Sequence, residues 1–149
     1  MSAAPDTPAG PLRPDAEAAF AFLSRLRPAG PWTLYSLDEE RSFRTKNIHP
    51  AGAADGGLSA LKAWLWTENG QRRRNCYFAA NLPARLLEKK ASKGDIAEAV
   101  MLWVDVDPPG KRDLATERLE VFERLQRPSQ AAPAPSFTLD SGRGGWNFY

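Results

Sequence analysis

The chain is nearly without cysteine and histidine: its 149 residues include one of each, Cys76 and His49. A single cysteine excludes an internal disulfide and, beside a lone histidine, speaks against a zinc site. Cys76 itself reads as a small packed residue of a strand, and His49 as a loop residue. No apolar run reaches roughly eighteen residues, the length a membrane helix needs. The start, Met1-Ser2-Ala3-Ala4-Pro5-Asp6, lacks the basic and apolar regions of a secretory signal. These gaps predict a cytoplasmic protein with no membrane partner. Charge of one sign is scarce too. The net charge is +2, too small to argue for a nucleic-acid partner by itself. Neither a Walker A loop nor a dinucleotide fingerprint is present in its strand-then-helix setting.

What is present is an acidic strand end, Trp103-Val104-Asp105-Val106-Asp107-Pro108-Pro109. Side chains alternate along a strand, so Asp105 and Asp107 point one way while Val104 and Val106 point into the core. The two aspartate Cα atoms would lie roughly 6.6 Å apart. Carboxylates so placed repel unless a proton or cation sits between them. A hard divalent ion, Mg²⁺ or Mn²⁺, prefers oxygen ligands and is the usual occupant. The plain alternative is a strand leaving its sheet into a Pro-Pro turn.

The second motif is Ser141-Gly142-Arg143-Gly144-Gly145, between two strand-like stretches. Glycines let a backbone approach another group closely, and successive N–H groups in such a turn form an anion nest. Ser141 adds a hydroxyl and Arg143 a planar fork suited to phosphate oxygens. Alone, this turn reads equally as a glycine-rich hairpin. Together with a carboxylate pair, it supplies what nucleotidyl transfer requires: a metal site, a triphosphate site and an arginine. Lys89, Lys90 and Lys93 form a further basic cluster able to touch phosphates. Arg72-Arg73-Arg74 reads more simply as a solvated face.

The coarse order is mixed α and β. Residues 1–14, with four prolines among Ala and Gly, read as a disordered arm, and 15–149 as one domain. Asp15 caps a helix to about Arg27, with Phe20 and Leu23 inward. Strands are expected at Trp32 to Leu37, Phe43 to Ile48, Asn75 to Ala80, Val100 to Val106, Ser136 to Asp140 and, after a tight turn from Ser141 to Gly145, from Trp146 onward. A helix over Leu58 to Thr67 turns Leu58, Leu61, Leu65 and Trp64 inward and ends at Gly70. Ser92, with Asp95 three residues later, opens a short helix to about Glu98. Arg112 to Arg127 is an amphipathic crossover helix with Leu114, Val121, Phe122 and Leu125 in one stripe. The aromatic strand Trp146-Asn147-Phe148-Tyr149 at the chain's end predicts continuation into a longer protein.

Asp105-Val106-Asp107 after an apolar strand, and Ser-Gly-Arg-Gly at 141–144 opening an aromatic strand, resemble two motifs of the archaeo-eukaryotic primase superfamily. The chain is most similar there to the primase-polymerase domain of phage and plasmid replication proteins, the RepB-like primases. Asn75-Cys-Tyr-Phe-Ala-Ala-Asn81 and Lys89-Lys90-Ala91-Ser92-Lys93-Gly94-Asp95-Ile96 agree in order and spacing, and the resemblance covers about residues 30 to 149.

The resemblance implies an α+β fold: an RRM-like mixed or antiparallel sheet with packing helices, forming a primase-polymerase core truncated at its C-terminal side. It implies a DNA-directed nucleotidyltransferase that makes primers from nucleoside triphosphates on a DNA template, sometimes joined to a helicase domain or protein. Asp105 and Asp107 would be the catalytic metal ligands for Mg²⁺ or Mn²⁺, and Ser141, Gly142, Arg143 and Gly144 would line the triphosphate site. Two departures stand out. Many relatives carry a histidine just after the glycine turn, where this chain has Trp146 or Asn147. The family's third acid lies on a later strand that is missing here, and Glu117 and Glu120 on the crossover helix do not fit its place. The chain alone is therefore expected to be inactive.

Three other readings compete. A phosphotransferase with an Asp-x-Asp nucleophile usually has Thr or Val where Pro109 stands. A sugar-nucleotide transferase would leave the Ser-Gly-Arg-Gly turn unexplained. A non-catalytic single-strand-binding module would stack bases on Tyr77, Phe78 and Trp103.

Overall fold

The computed structural model describes residues 14–127, 133–140 and 144–149. Most of the arm expected at 1–14 lies outside them. The chain is α+β and divides into two compact units, Met1–Ala97 and Glu98–Tyr149. Its strands form two three-stranded antiparallel sheets, where the sequence suggested one.

In the first unit, α1 (Ala16–Leu26) starts where Asp15 accepts the Ala18 N–H at 2.9 Å. Strands β1 (Trp32–Leu37), β2 (Phe43–Ile48) and β3 (Asn75–Phe78) follow in the spatial order β2-β1-β3. Helix α2 (Leu58–Leu65) lies between β2 and β3 in sequence. Leu23, Trp32, Leu34, Ile48 and Leu61 make the core, with Phe20 set edge-on against Trp32 at 5.7 Å. Leu61 is almost wholly buried, so Leu61→Ala should cost about 2–5 kcal/mol.

Gly70 does not stop α2. The chain widens into a π-helical turn, Trp66–Gln71, and Gly70 lies within it. That turn carries Glu68 into the interior, where Ser36 Oγ donates to it at 2.7 Å and Arg72 Nη1 at 2.6 Å. Arg74 lies 3.6 Å from the same carboxylate and pairs with Asp38 at 2.7 Å. Of the arginine run, Arg74 is thus drawn into the fold, while Arg72 pairs with Glu68 from an exposed position and Arg73 is exposed as expected. Past β3, which ends two residues earlier than expected, Asn47 Nδ2 donates to the Leu87 carbonyl at 3.4 Å. The Ser92–Asp95 capping box forms, but opens only a single 3₁₀ turn, Lys93–Asp95.

In the second unit, β4 (Trp103–Val106), β5 (Phe137–Asp140) and β6 (Gly145–Phe148) lie in the order β4-β6-β5. β6 is antiparallel to both neighbours, so β4 and β5 run parallel with a strand between them. Helix α3 (Leu114–Gln126) connects them, giving a split β–α–β unit. Strand β4 is shorter than the sequence suggested, although backbone pairing reaches Leu102 and Tyr149.

The stripe of α3 also differs from expectation. Val121 and Leu125 are buried, but Leu114 is half exposed and Glu117 takes the inward place. A Cβ on Gly145 would stand 2.6 Å from Leu125 Cδ1 and 3.1 Å from Phe122 Cζ. Glycine at that point is what lets α3 lie close on β6.

Candidate nucleotidyl-transfer site

The registers define the two faces of the second sheet. Trp103, Phe148 and Phe137 stand in one cross-strand row; Asp105, Trp146 and Leu139 stand in the next. Residues two apart share a face, so Asp105 belongs to an aromatic face. Phe148 stacks on Phe137 at 4.5 Å and lies 6.1 Å from Trp146. The other face, with Asn147 and Gly145, carries α3: the Asn147 amide donates to the Leu125 carbonyl at 2.9 Å. Val104 and Val106 are on this helix side as expected. Val104, however, is half exposed instead of buried, because α3 packs on β6 and β4 is an edge strand.

Asp105 and Asp107 are both exposed residues. Among the described residues neither takes part in a salt bridge. Partial loss of water raises the Asp105 carboxyl above the usual aspartate range, and the Asp107 charge raises it further. One neighbour opposes this: the Trp146 indole, directly across the ladder, favours the charged form of the Asp105 carboxyl. Of the two residues standing where the resembling family has histidine, Trp146 is therefore the one on the acid's face.

Gly145 begins β6, and β6 pairs with β4, so the described end of the glycine motif, Gly144-Gly145, meets the acidic strand. A Cβ on Gly144 would stand 2.5 Å from the Val106 carbonyl oxygen and 3.2 Å from Asp107 Oδ1. Only a residue without a side chain allows that approach. Ser141, Gly142 and Arg143 lie outside the described residues.

A functional residue that the sequence reading set aside is Glu117. Its carboxylate accepts the backbone N–H groups of Gly110, Lys111 and Arg112 at 2.7, 2.6 and 2.8 Å. Burial works against its charge, yet the three donors hold its pKa below the ordinary glutamate value. Glu117 thereby anchors the loop that leaves Asp107. Buried and engaged by these three bonds, it is not a spare metal ligand. The available signal was its position on the buried stripe of α3, one turn after the Asp113 cap, which accepts the Thr116 N–H at 2.9 Å. Glu120, also set aside as a third acid, is paired with Arg112.

The remaining candidates sit in the first unit. Lys89, Lys90 and Lys93 are exposed, on a segment closed by the Ala84 N–H to Asp95 carbonyl bond of 2.7 Å. Tyr77 and Phe78 are adjacent in β3 and so face opposite ways; Phe78 packs edge-on against Phe22 at 5.1 Å. They cannot form one stacking platform. The Cys76 thiol is pushed up to about 12 by burial and by the charge of Glu68, so it is no nucleophile. His49 is an exposed loop residue, as expected.

Among the described residues no cluster of three or more His, Cys, Asp or Glu side chains gathers as metal ligands. The Asp105–Asp107 pair fits a different mode of cation binding, in which one or two carboxylates share Mg²⁺ with water and substrate phosphates. The residual repulsion at Asp105 is what such an ion would relieve. Among the described residues no helix is long and apolar enough to cross a membrane. Comparison with protein-family models, with curated proteins and with solved structures finds no match.

Proposed function

We propose that this chain belongs to a DNA primase-polymerase, a nucleotidyltransferase of a phage- or plasmid-type replication protein that builds primers from nucleoside triphosphates. The observation that carries this reading is the close approach of Gly144 to the Val106–Asp107 backbone. It joins the described end of the glycine turn to a carboxylate pair that forms no salt bridge among the described residues. The split β–α–β topology supports the reading too, because it is half of the RRM-like sheet that the sequence resemblance implies.

In this mechanism Asp105 and Asp107 would hold Mg²⁺ or Mn²⁺. The ion would neutralise phosphate oxygens and favour attack by a primer 3′-hydroxyl on the α-phosphate, with pyrophosphate leaving. Gly144 lets the described end of the turn lie directly against Asp107. Ser141 and Arg143 would bind the triphosphate, Arg143 offsetting its charge. Glu117 holds the loop after Asp107 and so fixes where that carboxylate starts. Lys89, Lys90 and Lys93 would contact phosphates of the DNA template. A third acid and a fused or associated helicase would lie elsewhere in the protein.

The test is Mn²⁺- or Mg²⁺-dependent incorporation of labelled nucleotide by the full-length protein on a single-stranded template. Incorporation should vanish in the Asp105→Ala/Asp107→Ala variant. Equal incorporation by that variant would sink the assignment. Template binding without any incorporation, unchanged in the variant, would favour a non-catalytic single-strand-binding module.

A further inference from the structure

We propose that Trp146 is a positioning residue for the Asp105 carboxylate: its indole N–H holds one oxygen and leaves the other for a divalent cation. The inference rests on the reading of Asp105 as a cation ligand and adds the residue that orients it. Three observations carry it. Asp105 and Trp146 are directly opposed in the β4–β6 ladder, so their side chains rise from the same face. The register sets the indole beside the carboxylate, and that neighbour favours its charged form. The ring's base is fixed, because β6 is the central strand, bonded on both sides, and Trp146 lies against the buried Phe148 ring.

The chemistry suits the role. An indole N–H is a donor only, with no lone pair for metal and no proton to lose near neutrality. A carboxylate has about four lone-pair sites, so one donor leaves most of them free. Ligating carboxylates are themselves commonly hydrogen-bonded by an outer partner that fixes their orientation. A rigid donor also limits the rotamers that Asp105 would otherwise lose on binding the ion.

The test uses the full chain, Mn²⁺ as the probe, and electron paramagnetic resonance to count free ion. Wild type, Trp146→Phe and Asp105→Asn are titrated alongside each other. The Phe variant keeps the ring against Phe148 and removes only the donor. It should weaken Mn²⁺ binding by about tenfold, the usual cost of losing an outer-shell partner, while Asp105→Asn should remove binding at this site.

A second readout is independent of affinity. The chain has five tryptophans, so ¹⁵N-labelled protein gives five indole N–H signals. The signal missing in Trp146→Phe should shift in Asp105→Asn and on adding Mg²⁺ to wild type.

Wild-type affinity in Trp146→Phe, with binding lost in Asp105→Asn, overturns the positioning role alone. Undiminished binding in Asp105→Asn, or none in wild type, overturns the cation site and the positioning role with it. Should Trp146→Phe fail to fold, the indole spectra of wild type and Asp105→Asn decide the contact: five unshifted signals would overturn it.

Discussion

Glu68 in the first unit and the Asp105–Asp107 pair in the second are opposite treatments of negative charge. Glu68 is buried, and a serine and two arginines converge on its carboxylate. The two aspartates are exposed at the end of an edge strand, with the Trp146 indole across from Asp105 and no salt bridge among the described residues. A fold that can satisfy a buried acid so fully has no structural need to leave two others facing each other. Glu117 sharpens the contrast because it lies in the same unit as the pair, yet three backbone donors hold it. The buried acids hold structure, whereas under the proposed reading the exposed pair serves a cation.

The contrast can be broken most decisively by neutralising each kind of acid. Asp105→Ala/Asp107→Ala should lower nucleotide incorporation by about a thousandfold, the scale of losing a principal electrostatic element of a transition state. Thermal melting of the same variant should be unchanged or slightly raised, since repulsion is relieved. Glu68→Leu should do the reverse. It strands Arg74 and should cost about 3 kcal/mol in denaturant unfolding, with Mn²⁺ affinity retained in the folded fraction.

A smaller effect separates the two glycines of the turn. Gly145→Ala overpacks against Leu125 and Phe122 and should cost about 1–3 kcal/mol. Gly144→Ala should cost at least as much, because its methyl would stand 2.5 Å from the Val106 carbonyl oxygen, and should in addition weaken Mn²⁺ and triphosphate binding beside Asp107. Calorimetric titration beside a melting curve distinguishes the two outcomes.

The pH dependence sharpens the comparison further, since the two kinds of acid have opposite signs. Glu117 has a lowered pKa in the fold. Its stabilisation is present above its unfolded pKa and is lost as pH falls through the folded one. Asp105 has a raised pKa, so stability linked to it is present below its unfolded pKa and is lost as pH rises through the folded one. Glu117→Gln should therefore melt below wild type near pH 7, and Asp105→Asn above it, with both gaps closing in acid. Melting curves across the acid range check this; gaps of the same sign would contradict it.

The smallest effect is expected at the lysines. Replacing Lys89, Lys90 and Lys93 by Ala should weaken single-stranded DNA binding and flatten its salt dependence, by a slope of roughly 0.7 for each phosphate no longer neutralised. A filter-binding series over salt concentration measures it.

Much of the local structure was legible because it is written in short-range signals. The alternation of Trp32–Leu37 and Phe43–Ile48 matches both strands to the residue, and Asp15 marks the start of α1. Both carboxylates of the site could be named, since an Asp-x-Asp at the end of an apolar stretch is visible without coordinates. Other features depend on partners distant in sequence. Gly70 looked like a helix stop, but Glu68 is held by Ser36 and Arg74 and the turn continues as a π-helix. Glu117 was set aside as a third acid, and its three backbone donors are invisible to side-chain periodicity. Leu114 fitted the stripe by spacing, yet it is half exposed. Trp146 stood out only as a large residue of the last strand; its register opposite Asp105 is a property of the pairing of β4 with β6.

The most direct test of the account is a crystal of the protein soaked with Mn²⁺ and a nucleoside triphosphate, read by anomalous scattering. The account predicts a Mn²⁺ peak about 2.1 Å from carboxylate oxygens of both Asp105 and Asp107, with the triphosphate beside Gly144. A peak on other ligands, or a triphosphate bound away from the glycine turn, would contradict it.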